Sequence, residues 1–270
     1  MKLNIQNHST YVYTGTPTLG QSESTIVLLH GAQNDHTVWA LQSRYLAHHG
    51  HRVLAVDLPG HGRSAGTPLP TIDALADWTI ELLDATDTAS AFVVGHSMGS
   101  LIALAAAARI PDRMRGIGLV GTAYPMQVSD VLLDAAANNE DKAIEMIANW
   151  SLSGINHRPG APGPGFSVYM GTVRLMQRQQ AGVLLNDFNA CNQYDGGLDA
   201  ADKLRCPVLF VSGARDMMTP PRATQVLFDR ISTNVDSPAP TRVVLPDCGH
   251  QIMGEQPDGL LDALKQFVQA

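Results

Sequence analysis

Six short apolar runs, separated by longer segments with helical periodicity, constrain the fold of this chain more than any other feature of its sequence. Each run is apolar at successive positions, which is typical of a strand buried on both faces. The runs are residues 25–30, 52–58, 91–96, 116–121, 207–213 and 241–246. Helices are predicted at residues 37–49, 71–87, 98–109, 220–231 and 255–269. This order predicts an α/β fold with a mostly parallel, doubly wound sheet that is covered by helices on both faces.

The alternation is interrupted between residues 123 and 203, where no comparable apolar run occurs. Helical patterns around 129–151 and 168–195 flank residues 156–166, NHRPGAPGPGF, in which prolines and glycines exclude a regular element. We interpret the interval as a helical insertion at the carboxyl end of the sheet, the edge where open α/β sheets bind ligands. A structural lobe without a binding role is the alternative. The predicted domains are a core of residues 1–122 and 204–270 and a helical cap of residues 123–203.

Composition and charge narrow the classes of partner. The 270 residues are 44% hydrophobic and 16% charged, as in soluble globular proteins, and the formal net charge of −7 disfavours broad attraction to nucleic acid or anionic membranes. The N-terminal residues do not resemble a secretory signal, and the apolar stretches are too short to span a bilayer. Cys191, Cys206 and Cys248 lack metal-site spacing and suit reduced thiols. We therefore expect a cytoplasmic protein with neither nucleic acid nor membrane as a partner.

Residues 93–110, VVGHSMGSLIALAAAARI, place Ser97 between two glycines where an apolar run changes into a helical pattern. A serine on such a tight turn has its hydroxyl exposed at the edge of the sheet, with the N-terminus of the next helix beneath it. Glycines at positions 95 and 99 avoid side chains that would crowd the turn. Ser97 is therefore a candidate nucleophile, although a GxSxG match alone also occurs in ordinary turns.

Two further polar residues follow apolar runs near the end of the chain. Asp216 comes after the run at 207–213, and His250 comes after the run at 241–246. Because the carboxyl ends of parallel strands meet at one edge, both residues are expected near Ser97. A serine hydroxyl needs a base to take its proton and an acid to orient that base, so the three residues form a candidate catalytic triad. Taken singly, Asp216 also fits a turn or a helix cap, and His250 also fits an ordinary loop.

Five segments occur in an order and spacing similar to those of a known family. They read LLHGAQNDHTVW, VDLPGHGRS, GHSMGS, VSGARDMMTP and CGHQIMGEQP. Over nearly its whole length the chain resembles the α/β-hydrolase family, whose order of serine, acid and histidine it shares. The resemblance implies a sheet of the α/β-hydrolase type with an inserted helical cap, and an esterase-like hydrolase with a serine nucleophile.

The resemblance also implies an oxyanion hole, the pair of donors that stabilises negative charge on the reacting carbonyl oxygen. In the family pattern these donors are the backbone amides of Met98, which follows the nucleophile, and Ala32, which follows the first His-Gly pair. His30 of that pair either shapes the loop through hydrogen bonds or is simply part of the turn. Asp57 and His61 match loop scaffolding in the family pattern.

The expected reaction is acyl transfer to Ser97 followed by hydrolysis. His250 accepts the serine proton, Asp216 holds the imidazole, and water then attacks the acyl-enzyme with help from the same base. His96 is adjacent to Ser97 in the sequence and is a poor geometric candidate for the base. The reaction requires no metal or organic cofactor, and the chain has no P-loop or dinucleotide-binding glycine motif in a suitable strand-helix context.

Large apolar side chains in the insertion and in the acid and base loops predict an adaptable apolar pocket. The candidates are Trp150, Phe188, Met217 and Met253. They favour a small-molecule substrate, an uncharged ester with an apolar acyl or alcohol part, although most side chains of this kind are ordinary core residues.

Two other functions remain open. Arg174 or Arg178 in the insertion could bind a substrate carboxylate, which keeps a carbon–carbon bond hydrolase or an enol-lactonase as an alternative, although helix arginines are more often solvated. A non-catalytic ligand receptor on the same scaffold is the second alternative, because fold does not fix function. Members of the family that resemble haloalkane dehalogenases and epoxide hydrolases carry aspartate at the position of Ser97, which disfavours those activities. The sequence does not predict the oligomeric state.

Overall fold

The computed structural model describes residues 1–15, 24–154 and 167–269. Within these residues an eight-stranded sheet forms the centre of the fold, in the spatial order β1-β2-β4-β3-β5-β6-β7-β8. The strands are β1 (Lys2–Ile5), β2 (His8–Tyr13), β3 (Thr25–Leu29), β4 (Arg52–Val56), β5 (Ala91–His96), β6 (Met114–Val120), β7 (Val208–Gly213) and β8 (Thr241–Leu245). Neighbouring strands from β4 to β8 pair in parallel. The predicted α/β fold with a mostly parallel sheet is therefore confirmed.

The six apolar runs of the sequence correspond to β3 through β8, whereas β1 and β2 were not predicted. These two strands form an antiparallel hairpin, and β2 also pairs antiparallel with β4 at the edge of the sheet. Their exposure varies along each strand, so they lack the continuous apolar pattern of the central strands. Gln6 and Asn7 have φ of 50° and 62°, as a two-residue hairpin turn requires.

Helices cover both faces of the sheet, as predicted. They are α1 (Ala40–His48), α2 (Ile72–Ala85), α3 (Met98–Arg109), α9 (Gln225–Ser232), α10 (Ile252–Glu255) and α11 (Pro257–Gln269). The predicted helices at 37–49 and 220–231 begin later than expected, because 3-10 turns at His36–Trp39 and Pro221–Thr224 precede α1 and α9. In the first case the Asp35 side chain caps the 3-10 turn by accepting a hydrogen bond from the Thr37 amide.

The core lies on the two faces of the sheet in separate clusters of buried side chains. Val27 and Leu29 of β3 pack with α2, α3 and α9, whereas Ile26 and Leu28 pack with α1, α10 and α11. Successive residues of one strand thus enter opposite clusters. This arrangement explains the apolar runs of β3 to β7, because both faces of these strands exclude water. The run at 241–246 differs from the expectation, since β8 lies at the edge of the sheet and only Leu245 of that strand is buried.

Between β6 and β7 the described residues form helices and no strand. They are α4 (Asp130–Asn138), α5 (Glu140–Ser151), α6 (Val168–Gln177), α7 (Val183–Gln193) and α8 (Gly197–Asp202). Helices α4 to α7 share a third cluster of buried side chains that includes Leu132, Ile144 and Leu184. Helix α8 instead packs with α3 and α9 in the cluster on the sheet. The division at residues 123 and 203 stays a prediction, and the loop predicted at 156–166 lies outside the described residues.

No helix in the described ranges combines the length and the apolarity that crossing a membrane requires.

Candidate active site

Ser97 lies on a sharp turn between β5 and α3. Its backbone has φ 52° and ψ −118°, a conformation that residues other than glycine rarely adopt. A side chain at Gly95 would overlap the backbone carbonyl of Gly99, and a Cβ at Gly99 would lie 2.6 Å from the Leu29 carbonyl oxygen. Both glycines are therefore required for the strand and helix to approach closely at this turn. The strained backbone places Ser97 at the N-terminus of α3.

Asp216 and His250 lie in the loops that follow β7 and β8. The Nδ1 atom of His250 is 2.9 Å from Oδ2 of Asp216, and both side chains are buried. Burial by itself raises the pKa of Asp216, but the adjacent His250 and hydrogen bonds from Thr219 lower that pKa to about 2. Because an ionised carboxylate only accepts, Nδ1 of His250 donates and Nε2 of the neutral ring is left as a proton acceptor.

Ser97 and His250 line one cavity of about 250 Å³, together with Ala32. Trp150, Phe188 and Met217, three of the predicted pocket residues, also line it. Its other lining residues are Met126, Gln127, Val128, Ser129, Leu132, Cys191, Met218 and Thr219. This lining, all of it in the described part of the chain, contains neither lysine nor arginine. The structure thus brings Ser97 and His250 to one largely apolar cavity, while Asp216 does not line the cavity and contacts His250.

Met253 does not line this cavity, contrary to the sequence prediction. It is buried in the cluster that contains Trp39 and Leu46, and its carbonyl accepts a hydrogen bond from Gln42. Met253 instead borders a separate cleft beside α1 and α6. Met253 lies there because the short helix α10 starts at Ile252 and packs against the segment that leads into α1.

The two predicted oxyanion donors follow β3 and Ser97. The amide of Met98 is at the first turn of α3, where backbone amides have no partner within the helix. The loop that contains Ala32 is held by His30, whose Nδ1 donates to the Gly31 carbonyl at 2.8 Å. Nε2 of the same ring accepts the Leu58 amide at 3.1 Å.

His30 is a neutral, fixed side chain. Burial, with a further contribution from His61, lowers the pKa of His30 to about 4. The Gly31 carbonyl and the Ala32 amide belong to one peptide plane and point in opposite directions. By binding that carbonyl, His30 sets the direction of the Ala32 amide, so the hydrogen-bonding role expected from the sequence is the one observed.

Three further residues hold the loops of Asp216 and His250 and were not assigned to the site from the sequence. Thr219 donates its hydroxyl to Oδ2 of Asp216 at 2.7 Å, and the Ser151 carbonyl at the end of α5 accepts the His250 amide at 2.6 Å. His96 donates from Nε2 to the His250 carbonyl at 2.9 Å. A hydroxyl residue three positions after Asp216 was the available signal for Thr219, because Asp side chains often bind such turns. Nothing in the sequence signals the contact of Ser151.

His96 supports the loop that contains His250 and is not placed to act as a base. Burial, followed by the adjacent His250, lowers the pKa of His96 to about 3. The ring therefore stays neutral and keeps its Nε2 proton for the His250 carbonyl. This geometry agrees with the expectation that His96 would be a poor candidate for the general base.

Arg174 and Arg178 lie away from the Ser97 cavity and border the separate cleft. Arg178 donates from Nη2 to Oδ2 of Asp35 at 2.5 Å and to the Thr37 hydroxyl, while Arg174 binds Gln177 on its own helix. Neither guanidinium is therefore placed to bind a carboxylate next to Ser97. Arg178, the residue that follows α6, instead binds the loop after β3.

One group of side chains in the described ranges is close enough to hold a metal ion. Ligand atoms of Asp35, His36 and Asp57 lie within 4.8 Å of one another. Asp57 already accepts hydrogen bonds from Nδ1 and the amide of His36 and from the amide of Arg63, and Asp35 is paired with an arginine. We assign this group to loop structure, which matches the scaffolding role expected for Asp57.

The sequence model of the alpha/beta hydrolase family matches residues 26–263. The chain belongs to this family. A pimeloyl-[acyl-carrier protein] methyl ester esterase of Chromobacterium violaceum is 31% identical over 215 residues, which are 75% of this chain and 80% of that protein. The expectation of an enzyme of the α/β-hydrolase family is thus confirmed.

Solved structures agree with this hydrolase in fold. An enol-lactonase from Burkholderia xenovorans LB400 superposes with a TM-score of 0.85 and 22% identity, covering 100% of each chain. The esterase EaEST from Exiguobacterium antarcticum superposes with a TM-score of 0.84 and 17% identity, covering 100% of this hydrolase and 99% of the esterase. At these identities the likeness concerns the fold.

Proposed function

We propose that this hydrolase cleaves an uncharged carboxylic ester through a triad of Ser97, His250 and Asp216. The observation that carries the proposal is the hydrogen bond between His250 and Asp216 beside the strained Ser97 turn, with the serine and the histidine lining one cavity. A nucleophile, a base and an acid that orients the base are the three groups that serine hydrolysis needs, and Ser97, His250 and Asp216 are of these types.

The proposed reaction has two stages. His250 takes the Ser97 proton at Nε2 as the hydroxyl oxygen attacks the ester carbonyl, and Asp216 stabilises the imidazolium that forms. The amides of Ala32 and Met98 donate to the oxyanion. The imidazolium then protonates the leaving alcohol, and a water molecule activated by His250 hydrolyses the acyl-enzyme.

The lining of the cavity supports an apolar, uncharged substrate. Trp150, Phe188 and Met217 present apolar surface, and a carboxylate on the substrate would meet no guanidinium or ammonium group among the lining residues. The similar protein of Chromobacterium violaceum is by name a methyl ester esterase, which also favours ester chemistry. Helices α4, α5 and α7 supply Leu132, Trp150, Phe188 and Cys191 of this lining, which supports the proposal that residues 123–203 form a cap over the site.

The alternatives are weaker on the same observations. Arg178 is paired with Asp35, which removes the feature that motivated a carboxylate-bearing substrate for a carbon–carbon bond hydrolase or an enol-lactonase. A non-catalytic receptor would have no use for an ionised carboxylate held against a histidine beside Ser97. A cytoplasmic location remains part of the proposal, supported by Cys191, Cys206 and Cys248, which are free and buried.

The test combines covalent labelling with a substrate panel. A fluorophosphonate probe should label the wild type at Ser97, and p-nitrophenyl esters should be hydrolysed faster than lactones or vinylogous diketones of similar size. The Ser97→Ala variant should lose both labelling and turnover. Labelling at another residue, or preferred cleavage of the diketones, would contradict the ester proposal.

A further inference from the structure

Gln33, the residue after the predicted oxyanion donor Ala32, has a left-handed backbone with φ 55°. It is completely buried. This region of conformational space is unfavourable for a residue with a Cβ and persists only where the surroundings hold it. The contacts of Gln33 therefore indicate what fixes the loop beside Ser97.

These contacts come from helices α5 to α7. The Gln33 amide donates to Oδ2 of Asp187 on α7 at 2.9 Å. Its side-chain Nε2 donates to Oε1 of Glu140 on α5 at 2.8 Å and to the carbonyl of Met176 on α6 at 3.3 Å. The left-handed residue is thus held by the segment between β6 and β7 and not by the sheet.

Asp187 is itself a buried, paired carboxylate. Its Oδ2 atom also lies 2.8 Å from Nε2 of His61, and both side chains are about 1% exposed. Nδ1 of His61 lies 2.9 Å from the Pro59 carbonyl, which only accepts. Nδ1 of His61 therefore donates to Pro59, and the adjacent Asp187 raises the pKa of His61 despite its burial. One carboxylate oxygen of Asp187 thus contacts the His61 ring and accepts the Gln33 amide.

The two peptide planes that flank the Cα atom of Ala32 are thus fixed from two directions. His30 binds the Gly31 carbonyl in the first plane, and Asp187 binds the Gln33 amide in the second. We infer that Asp187 is a positioning residue of the oxyanion hole, which holds the Ala32 amide in the direction that the transition state requires. This inference rests on the proposed function, because it assumes that Ala32 donates to the oxyanion.

The Asp187→Asn variant tests this inference. The oxygen of an asparagine can still accept the Gln33 amide, but it carries no negative charge, so it holds the Gln33 backbone and the His61 ring less firmly. We expect kcat on a p-nitrophenyl ester to fall by about 10- to 100-fold, since a small displacement of an oxyanion donor acts in the transition state. KM should change by less than about twofold.

A transition-state probe separates positioning from loss of fold. The hydroxyl of Ser97 adds reversibly to the carbonyl of an alkyl trifluoromethyl ketone, and the oxygen of the resulting hemiketal lies in the oxyanion hole. The inhibition constant of the ketone should therefore rise by the same factor by which kcat/KM falls. Rates are normalised to the fraction of molecules that fluorophosphonate titrates. Asp187→Glu is the second variant, because it keeps the charge beside His61 but displaces the acceptor oxygen, and it should show the same split between kcat and KM.

Glu140→Gln is the matched control. This substitution removes the charge of Glu140, which accepts from the Gln33 side chain, but it keeps an oxygen that can accept the same hydrogen bond. We therefore expect kcat to stay within about twofold of the wild type. Unchanged kcat and ketone inhibition in folded Asp187→Asn or Asp187→Glu would overturn the inference. So would failure of both variants to fold, which would make Asp187 a residue of the general core. A wild type that neither probe modifies would instead contradict the proposed function.

Discussion

Thr219 donates its hydroxyl proton to the same Asp216 oxygen that accepts the Nδ1 proton of His250. Its backbone amide binds the other oxygen of Asp216, as does the amide of Met218. The carboxylate is therefore saturated with donors. Burial raises its pKa, but the electrostatic effect of His250, followed by these hydrogen bonds, lowers the pKa to about 2. A fixed, ionised acid keeps His250 in the tautomer that a general base needs.

We expect Thr219→Val to weaken catalysis without removing it. Valine keeps the shape of the side chain but leaves Oδ2 of Asp216 with one donor fewer, so the carboxylate holds His250 less firmly. The expected fall in kcat/KM is roughly tenfold. Thr219→Ser retains the hydroxyl and should stay close to the wild type. Equal activity of the valine and serine variants would show that the hydroxyl does not matter.

Ser97→Ala should give a folded protein with turnover reduced by about three orders of magnitude or more. The substitution removes the nucleophile but leaves the turn and the glycines around it. Circular dichroism checks the fold, and ester hydrolysis with fluorophosphonate labelling checks the chemistry. Near-normal hydrolysis by pure Ser97→Ala protein would rule out the serine mechanism.

The ion pair of His61 and Asp187 should make stability depend on pH. Burial lowers the pKa of His61, but Asp187 and the Pro59 carbonyl more than offset that effect, so the pKa is raised above the ordinary value. A raised pKa in the folded state gives stability that is complete below about pH 6.5 and is lost as pH rises through the folded value.

The measurement is the difference in melting temperature between wild type and His61→Gln from pH 6 to pH 9. His30, Asp57 and Asp187 are the titratable groups that act on His61, and the variant leaves them in place. The difference should be largest at pH 6 and should narrow as pH increases. A difference that grows with pH would mean that His61 is neutral in the folded protein.

Phe188 connects the proposed cap to substrate choice. It lines the Ser97 cavity and also packs in the cluster formed by α4 to α7. Phe188→Ala should shift the preference of kcat/KM towards longer acyl chains, and it should lower stability by about 3–5 kcal/mol. Phe210→Ala is the matched control, because Phe210 on β7 is fully buried in the core and does not line the cavity. It should lower stability and keep the parental chain-length profile.

If Phe188→Ala and Phe210→Ala both keep that profile, the helices between β6 and β7 act as scaffold, and the cap proposal is wrong.

The central sheet was predictable because a strand that is buried on both faces has apolar side chains at successive positions. The hairpin of β1 and β2 was not, since its strands have mixed exposure and no continuous apolar run. The convergence of Asp216 and His250 followed from parallel strands ending at one edge. The contact of Thr219 with Asp216 depends only on a local turn, so it could have been predicted from the sequence.

Contacts between distant segments set the limit of prediction. Met253 was misplaced because the orientation of α10 depends on packing near Trp39, more than 200 positions earlier in the chain. Arg178 pairs with Asp35, 143 positions away, and Asp187 binds Gln33 from 154 positions away. Neither pairing has a periodicity or spacing that one sequence reveals.

The contact of the Ser151 carbonyl with the His250 amide has a consequence for engineering by domain exchange. Because the end of α5 holds the loop of the base, while Asp187 and Arg178 hold the loop after β3, the segment between β6 and β7 is not an interchangeable module. A chimera that imports this segment from a relative to acquire its substrate range must also import matching partners at positions 33, 35 and 61. Without them the graft would recruit new substrates to a misaligned catalytic centre.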